Sequence, residues 1–219
     1  MDERGVERPS RRIRKLKVEP SGVIVKPGVY SLNLTYGNLV SKSEIKVSTD
    51  PRLNYEKEKL DQVYNNSKIL ESYLMTTTKA VKQLVESKET LKTISDHLKK
   101  HNEKKYDSII KSSNKISKRI DELLSLYIGK EDKRQGITRN PETTVMRRLS
   151  TASTYVLSRK TGISKTEINL MKYLKQELEN ALIKTNKFFD SEWIEFKSNV
   201  EKQTIPIFKG VENIKLESN

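Results

Sequence analysis

The sequence predicts a mainly α protein, an elongated antiparallel helical bundle of two long helices plus a broken pair, preceded by a small β-hairpin or partial β-sandwich. Three observations predict it. Apolar residues recur at intervals of three and four over most of residues 55–203, and no Gly or Pro interrupts 55–98. Period-two alternation is confined to residues 29–47. Hydrophobic residues make up 34% of the 219 and charged residues 33%, a balance thin for a compact globule and suited to narrow seams on long amphipathic helices.

Residues 1–25 read as a basic lead-in, poorly ordered or in short strands, with 13–18 and 23–25 as candidates. Residues 26–49 read as the hairpin. Pro27-Gly28 supplies a turn. From Val29 the chain alternates, placing Tyr30, Leu32, Leu34 and Tyr36 on one face. Gly37-Asn38 suits a two-residue turn, and the return strand runs from Leu39 to Val47 with Ile45 and Val47 pointing inward. A lone hairpin is marginal in water, so this face is expected to rest on the helices or on a missing part of a sandwich.

Residues 50–204 read as the bundle. Asp50-Pro51 ends the β segment and Asn54 is an N-cap candidate. The first seam is Leu60, Val63, Ser67, Leu70, Leu74, Thr77, Val81, Leu84, Lys88, Leu91, Ser95 and Leu98. The second helix is expected over 103–128, with seam Tyr106, Ile109, Ser113, Ile116, Ile120, Leu123 and Tyr127, and Gly129 as its C′ residue. After a polar loop, Asn140-Pro141-Glu142 reads as the start of a third helix reaching about residue 158. Ser164-Lys165-Thr166-Glu167 is a capping box, with Ile163 and Ile168 as its hydrophobic staple. It opens a fourth helix over 165–203, closed by Pro206. Residues 205–219 form an apolar-rich tail.

Composition excludes several classes. The chain has no cysteine, hence no disulfide scaffold and no thiolate metal site. No apolar stretch reaches the ~18–20 residues of a membrane span, and the first 20 residues are too charged for a signal peptide. The net charge is +14. Residues 98–119 carry eight basic against two acidic side chains and 129–165 nine against three, whereas 166–219 are slightly acidic. Such patches attract nucleic acid or anionic surfaces, although charge runs on helices usually face water.

Candidate chemistry is sparse. His97 and His101, four apart, suit one face of a helix and are the weak candidates for a metal, but the zinc-protease Glu is absent. There is no phosphate loop and no nucleophile elbow. Glu192 and Glu195 flank Trp193 without a predicted cleft. Arg147, Arg148, Arg159 and Lys160 border the third helix and are the candidate anion or partner-binding residues. No cofactor is expected.

The run Lys26-Pro27-Gly28-Val29-Tyr30 through Leu34, the hairpin, and Asp50-Pro51-Arg52-Leu53 before a long helix together resemble the C-terminal region of bacterial sialidase-like BNR-repeat, sortilin-type β-propeller proteins, often labelled glycosyl hydrolases. Gly136-Ile137-Thr138-Arg139-Asn140-Pro141 and Lys184-Thr185-Asn186-Lys187-Phe188-Phe189-Asp190 extend the resemblance across about residues 26–210. It implies an exported protein whose propeller lies elsewhere. A single Trp and eight Gly cannot build propeller blades, and no glycan-handling residue carries over. The expected function is therefore a non-catalytic helical stalk or interaction module, a tail fragment or stand-alone tail. Its expected partners are protein: its own missing propeller domain or a second copy. The alternative is a basic coiled-coil adaptor for nucleic acid or another anionic surface.

Overall fold

The structure is a computed structural model that describes residues 1–13, 18–52, 55–101, 104–131, 143–159, 162–203 and 205, with the side chain of His101 outside the description. Its elements are β1 (Asp2–Arg4), β2 (Ser21–Ile24), β3 (Gly28–Tyr36), β4 (Leu39–Val47), α1 (Lys57–His101), α2 (Asp107–Ile128), α3 (Val145–Ser158), α4 (Lys165–Phe188) and α5 (Ile194–Glu201). A 3₁₀ turn over Lys104–Tyr106 precedes α2, and a π-helical turn over Phe189–Trp193 joins α4 to α5.

The bundle is mainly α, as the seams predict. The 45 residues of α1 extend about 68 Å. The two shorter helices α2 and α3 run back along it one after the other, and α4 with α5 returns as the third arm. Cross-links fix this order. Lys88 Nζ meets both oxygens of Asp121 at 2.6 Å, joining α1 to α2. The Tyr127 hydroxyl lies 2.8 Å from Thr185 Oγ1, and Arg119 Nε lies 3.3 Å from Glu192, joining α2 to the third arm.

The core follows the seams. Leu70, Val81, Leu84, Leu91 and Leu98 of α1 are buried, and so are all seven predicted seam residues from Tyr106 to Tyr127. Leu174, Leu178, Ala181 and Phe188 close it from α4. Several seam positions are polar. Ser67, Thr77, Ser87 and Thr185 each return their hydroxyl to the carbonyl four residues earlier, on Val63, Tyr73, Gln83 and Ala181, whereas the buried Ser113 hydroxyl has no hydrogen-bond partner among the described residues.

Several boundaries differ from expectation. Among the described residues α3 is capped by Thr144, whose hydroxyl accepts from the Arg147 N–H at 3.2 Å; Asn140, Pro141 and Glu142 lie outside the description, as do Leu53, Asn54 and Pro206. The fourth helix is not continuous α, because the π turn inserts a residue where its apolar spacing drifts. The Ser164–Glu167 capping box forms as predicted, but Ile168 is exposed while Ile163 packs on the core, so that half of the staple stays in water.

The lead-in is part of the fold. β1 pairs antiparallel with β2; residue 13 is in no strand, and 14–17 lie outside the description. Glu3 accepts from the Tyr64 hydroxyl at 2.6 Å and from Lys68 Nζ at 2.9 Å. Thr78 Oγ1 donates to the Glu7 carbonyl at 2.7 Å, and Arg11 donates to the Gly129 carbonyl. The lead-in thus runs as a strap along α1, held by the Glu3 and Arg11 side chains and the Glu7 carbonyl, while the backbone at its start pairs with β2.

Candidate functional site

The β3–β4 hairpin is the feature the bundle does not absorb. Its nine-residue strands pair in unbroken register from Gly28↔Val47 to Tyr36↔Leu39. The turn is Gly37-Asn38, with Gly37 at φ +57°, a conformation favourable for glycine. Directly opposite residues share a face. One face therefore carries Tyr30, Leu32, Leu34, Tyr36, Leu39 and Ile45, with Ser41 and Ser43 between the last two. The other carries Val29, Ser31, Asn33, Thr35, Val40, Lys42, Glu44 and Lys46.

Of the two residues expected to point inward, Val47 is half-buried but Ile45 is exposed, and among the described residues the face does not rest on the helices. Leu34 is 68% exposed, Tyr36 83% and Leu39 73%. The pleat supplies an apolar face, and nothing among the described residues covers it. Soluble chains leave such contiguous apolar surface open mainly where something binds. Among the described residues the attachments are at the base. Lys26 Nζ lies 3.0 Å from Asp61 Oδ1 and 4.8 Å from the Tyr64 ring centre, and the Tyr30 hydroxyl donates to the Lys26 carbonyl at 2.6 Å.

The residues singled out by charge do not form one site. Arg147 and Arg148 meet at a recess of about 130 Å³ with Thr143, Thr151 and Leu170. Arg148 Nε is buried without a hydrogen bond, its carboxylate neighbour Glu177 lying at 3.8 Å. Arg159 stands at the other end of α3, about 18 Å from Arg147 by helical rise, and its Nε donates to Glu167 at 2.8 Å. Glu167 is fully buried. The Ser164 hydroxyl and backbone N–H, with Arg159, hold its carboxyl down at about 2. Arg159 therefore serves the α3–α4 junction. Lys160 lies outside the described residues.

His97 is half buried on α1 and has an interaction partner. Among the described residues no three His, Asp or Glu side chains converge to hold a metal ion. Glu192 is engaged by Arg119, while Trp193 packs with Phe188, Phe189 and Phe196 at ring separations of 6.0–6.3 Å.

Two larger recesses flank the strap. One, of about 400 Å³, includes Arg12, Lys88, Lys92, Ser113 and Asp121 in its walls, with cations and carboxylates nearly in balance. The other, of about 360 Å³, is walled by Val6, Leu70, Leu74, Leu149 and Leu157. Among the described residues no helix is long and apolar enough to cross a membrane. No protein-family model, curated protein or solved structure matches the chain.

Proposed function

We propose that this chain is a non-catalytic interaction module: a helical scaffold that presents the β3–β4 hairpin for docking to protein. The observation that carries the reading is the uncharged apolar face of Tyr30, Leu32, Leu34, Tyr36, Leu39 and Ile45, held outside the core on a strand pair anchored at its base. The surroundings support it. Side-chain links tie the bundle's elements together, Lys88 to Asp121, Arg119 to Glu192 and Tyr127 to Thr185, which suits a firm support. Attachment to a sialidase-like propeller rests on the sequence resemblance of residues 26–210 alone.

A photo-crosslinking residue at position 34 in the expressed full chain tests the proposal. Discrete protein adducts from position 34, absent when the same residue sits at exposed Asn199, are the expected result. Equal labelling from both positions, or hydrolysis of a glycan or peptide by the purified chain, overturns it.

A second reading has its own observation. Lys111, Lys115 and Lys118 line the exposed side of α2, with Lys104 just before it, and among the described residues none of these ammonium groups has an ion-pair partner. A polyanion would bind there with an affinity that falls steeply with salt. Absence of nucleic-acid binding at about 50 mM salt removes this reading.

A further inference from the structure

We infer that the hairpin docks onto a second copy of this chain, face to face, as a weak two-fold dimer. The inference rests on the docking role proposed above and names its partner.

The shape of the face supports the match. Along β3, Tyr30, Leu32, Leu34 and Tyr36 form a ridge. Beside it on β4, Ser43 lies opposite Leu32 and Ser41 opposite Leu34, leaving a trough bounded by Ile45 and Leu39. A two-fold axis running along the strands sets β3 of one copy over β4 of the other. Leu32 and Leu34 then enter the serine trough of the second copy. At the ends, Tyr30 meets Ile45 and Tyr36 meets Leu39. The same contact is made twice, as a closed two-fold interface requires, in the aligned stacking that two twisted sheets adopt at about 10 Å.

Charge restricts where two copies can touch. Each carries +14, so most pairs of their surfaces repel. The apolar face has no ionisable group except its tyrosines, and Lys42, Glu44 and Lys46 project from the opposite face.

Area sets the strength. Each face is about 31 Å long and 10 Å wide. Stacking two covers roughly 600 Å² in total, below the ~1,200–2,000 Å² of stable complexes. The dimer is therefore concentration-dependent, and salt strengthens it by screening the two cationic bodies.

Sedimentation of the full chain from about 5 to about 500 µM, at about 0.15 and 0.5 M salt, tests this. The expected mass rises from 25.4 kDa toward twice that value, further at high salt. Leu34→Lys and, separately, Ser43→Asp lower the association constant at least tenfold with unchanged helical circular dichroism. Lys42→Glu, on the opposite face, does not lower it. A monomer throughout, or association that Leu34→Lys leaves intact, overturns the inference. If the chain stays monomeric while position 34 crosslinks to a different protein, self-docking fails and hairpin docking stands.

Discussion

Lys26 Nζ sits 3.0 Å from Asp61 Oδ1 and above the Tyr64 ring, tying the base of the hairpin to the start of α1. The Asp61 carboxylate raises the Lys26 ammonium above its ordinary value, so the link is charged at every physiological pH. Exposed pairs of this kind add little to global stability. Its effect is on direction, because it joins the base of the hairpin to the side of α1.

Lys26→Met is expected to leave the thermal midpoint of the bundle nearly unchanged and to broaden the hairpin's orientation. Spin labels at Asn38 and at exposed Lys82 read this as a wider distance distribution by pulsed dipolar spectroscopy. An unchanged distribution shows that the β3–α1 geometry is held by the backbone alone. Asp61→Asn keeps a hydrogen bond and gives an intermediate width.

The Ser164–Glu167 junction gives the fold an acid-sensitive point. Glu167 titrates near 2 in the folded chain, below its ordinary carboxylate value, chiefly through the Ser164 hydroxyl, then the Ser164 N–H and Arg159. A depressed folded value contributes stability that is present above the unfolded value near 4.5 and is lost as pH falls toward 2. Glu167→Gln should therefore flatten the fall in thermal midpoint between those two pH values while lowering the midpoint at neutral pH. Ser164→Ala removes the cap and costs about 0.5–2 kcal/mol, read from denaturant midpoints at pH 7.

The Ser164–Glu167 capping box at that junction was legible because its two partners lie three residues apart. The helix seams were legible for a related reason: spacing alone decides which side of a helix is apolar. Tertiary choices were not. Asp2–Arg4 are all charged and show no strand signal, yet they pair with Ser21–Ile24 because their backbone finds an edge. Arg159 and Arg147 look alike in sequence, but a buried carboxylate engages one of them. Alternation showed that the hairpin has one apolar face. It carried no information on what covers that face, because the pleat is the same against a core, a partner or water.

At high pH the weak point moves to the interface of α2 and α4. Thr185 Oγ1 donates to the Ala181 carbonyl at 2.9 Å, so the Tyr127 hydroxyl 2.8 Å away is the donor to Thr185. Burial raises the Tyr127 phenol above its ordinary value of 10. An acid with a raised folded value keeps its full stability below the unfolded value and loses it as pH rises beyond. Denaturant midpoints should fall above pH 10, and Tyr127→Phe should reduce that fall. At neutral pH, Thr185→Val should cost more than Tyr127→Phe. It strands a buried hydroxyl donor at about 1–3 kcal/mol, whereas the phenylalanine leaves Thr185 still bonded to Ala181.

Two chemically identical truncations separate core from docking surface. Leu84 is fully buried in the α1 seam, whereas Leu34 is 68% exposed on the hairpin. Leu84→Ala removes close-packed contacts and leaves a cavity, an expected loss of about 2–5 kcal/mol. Leu34→Ala removes a side chain that touches little in the isolated chain, an expected change within about 0.5 kcal/mol. Dilute urea unfolding followed by helical circular dichroism should show this contrast. The same two variants should reverse rank in crosslinking from the hairpin, where Leu34→Ala weakens capture and Leu84→Ala, under conditions that keep it folded, does not. If Leu34→Ala lowers the unfolding midpoint as much as Leu84→Ala, the hairpin face belongs to the core of this chain and its docking role fails.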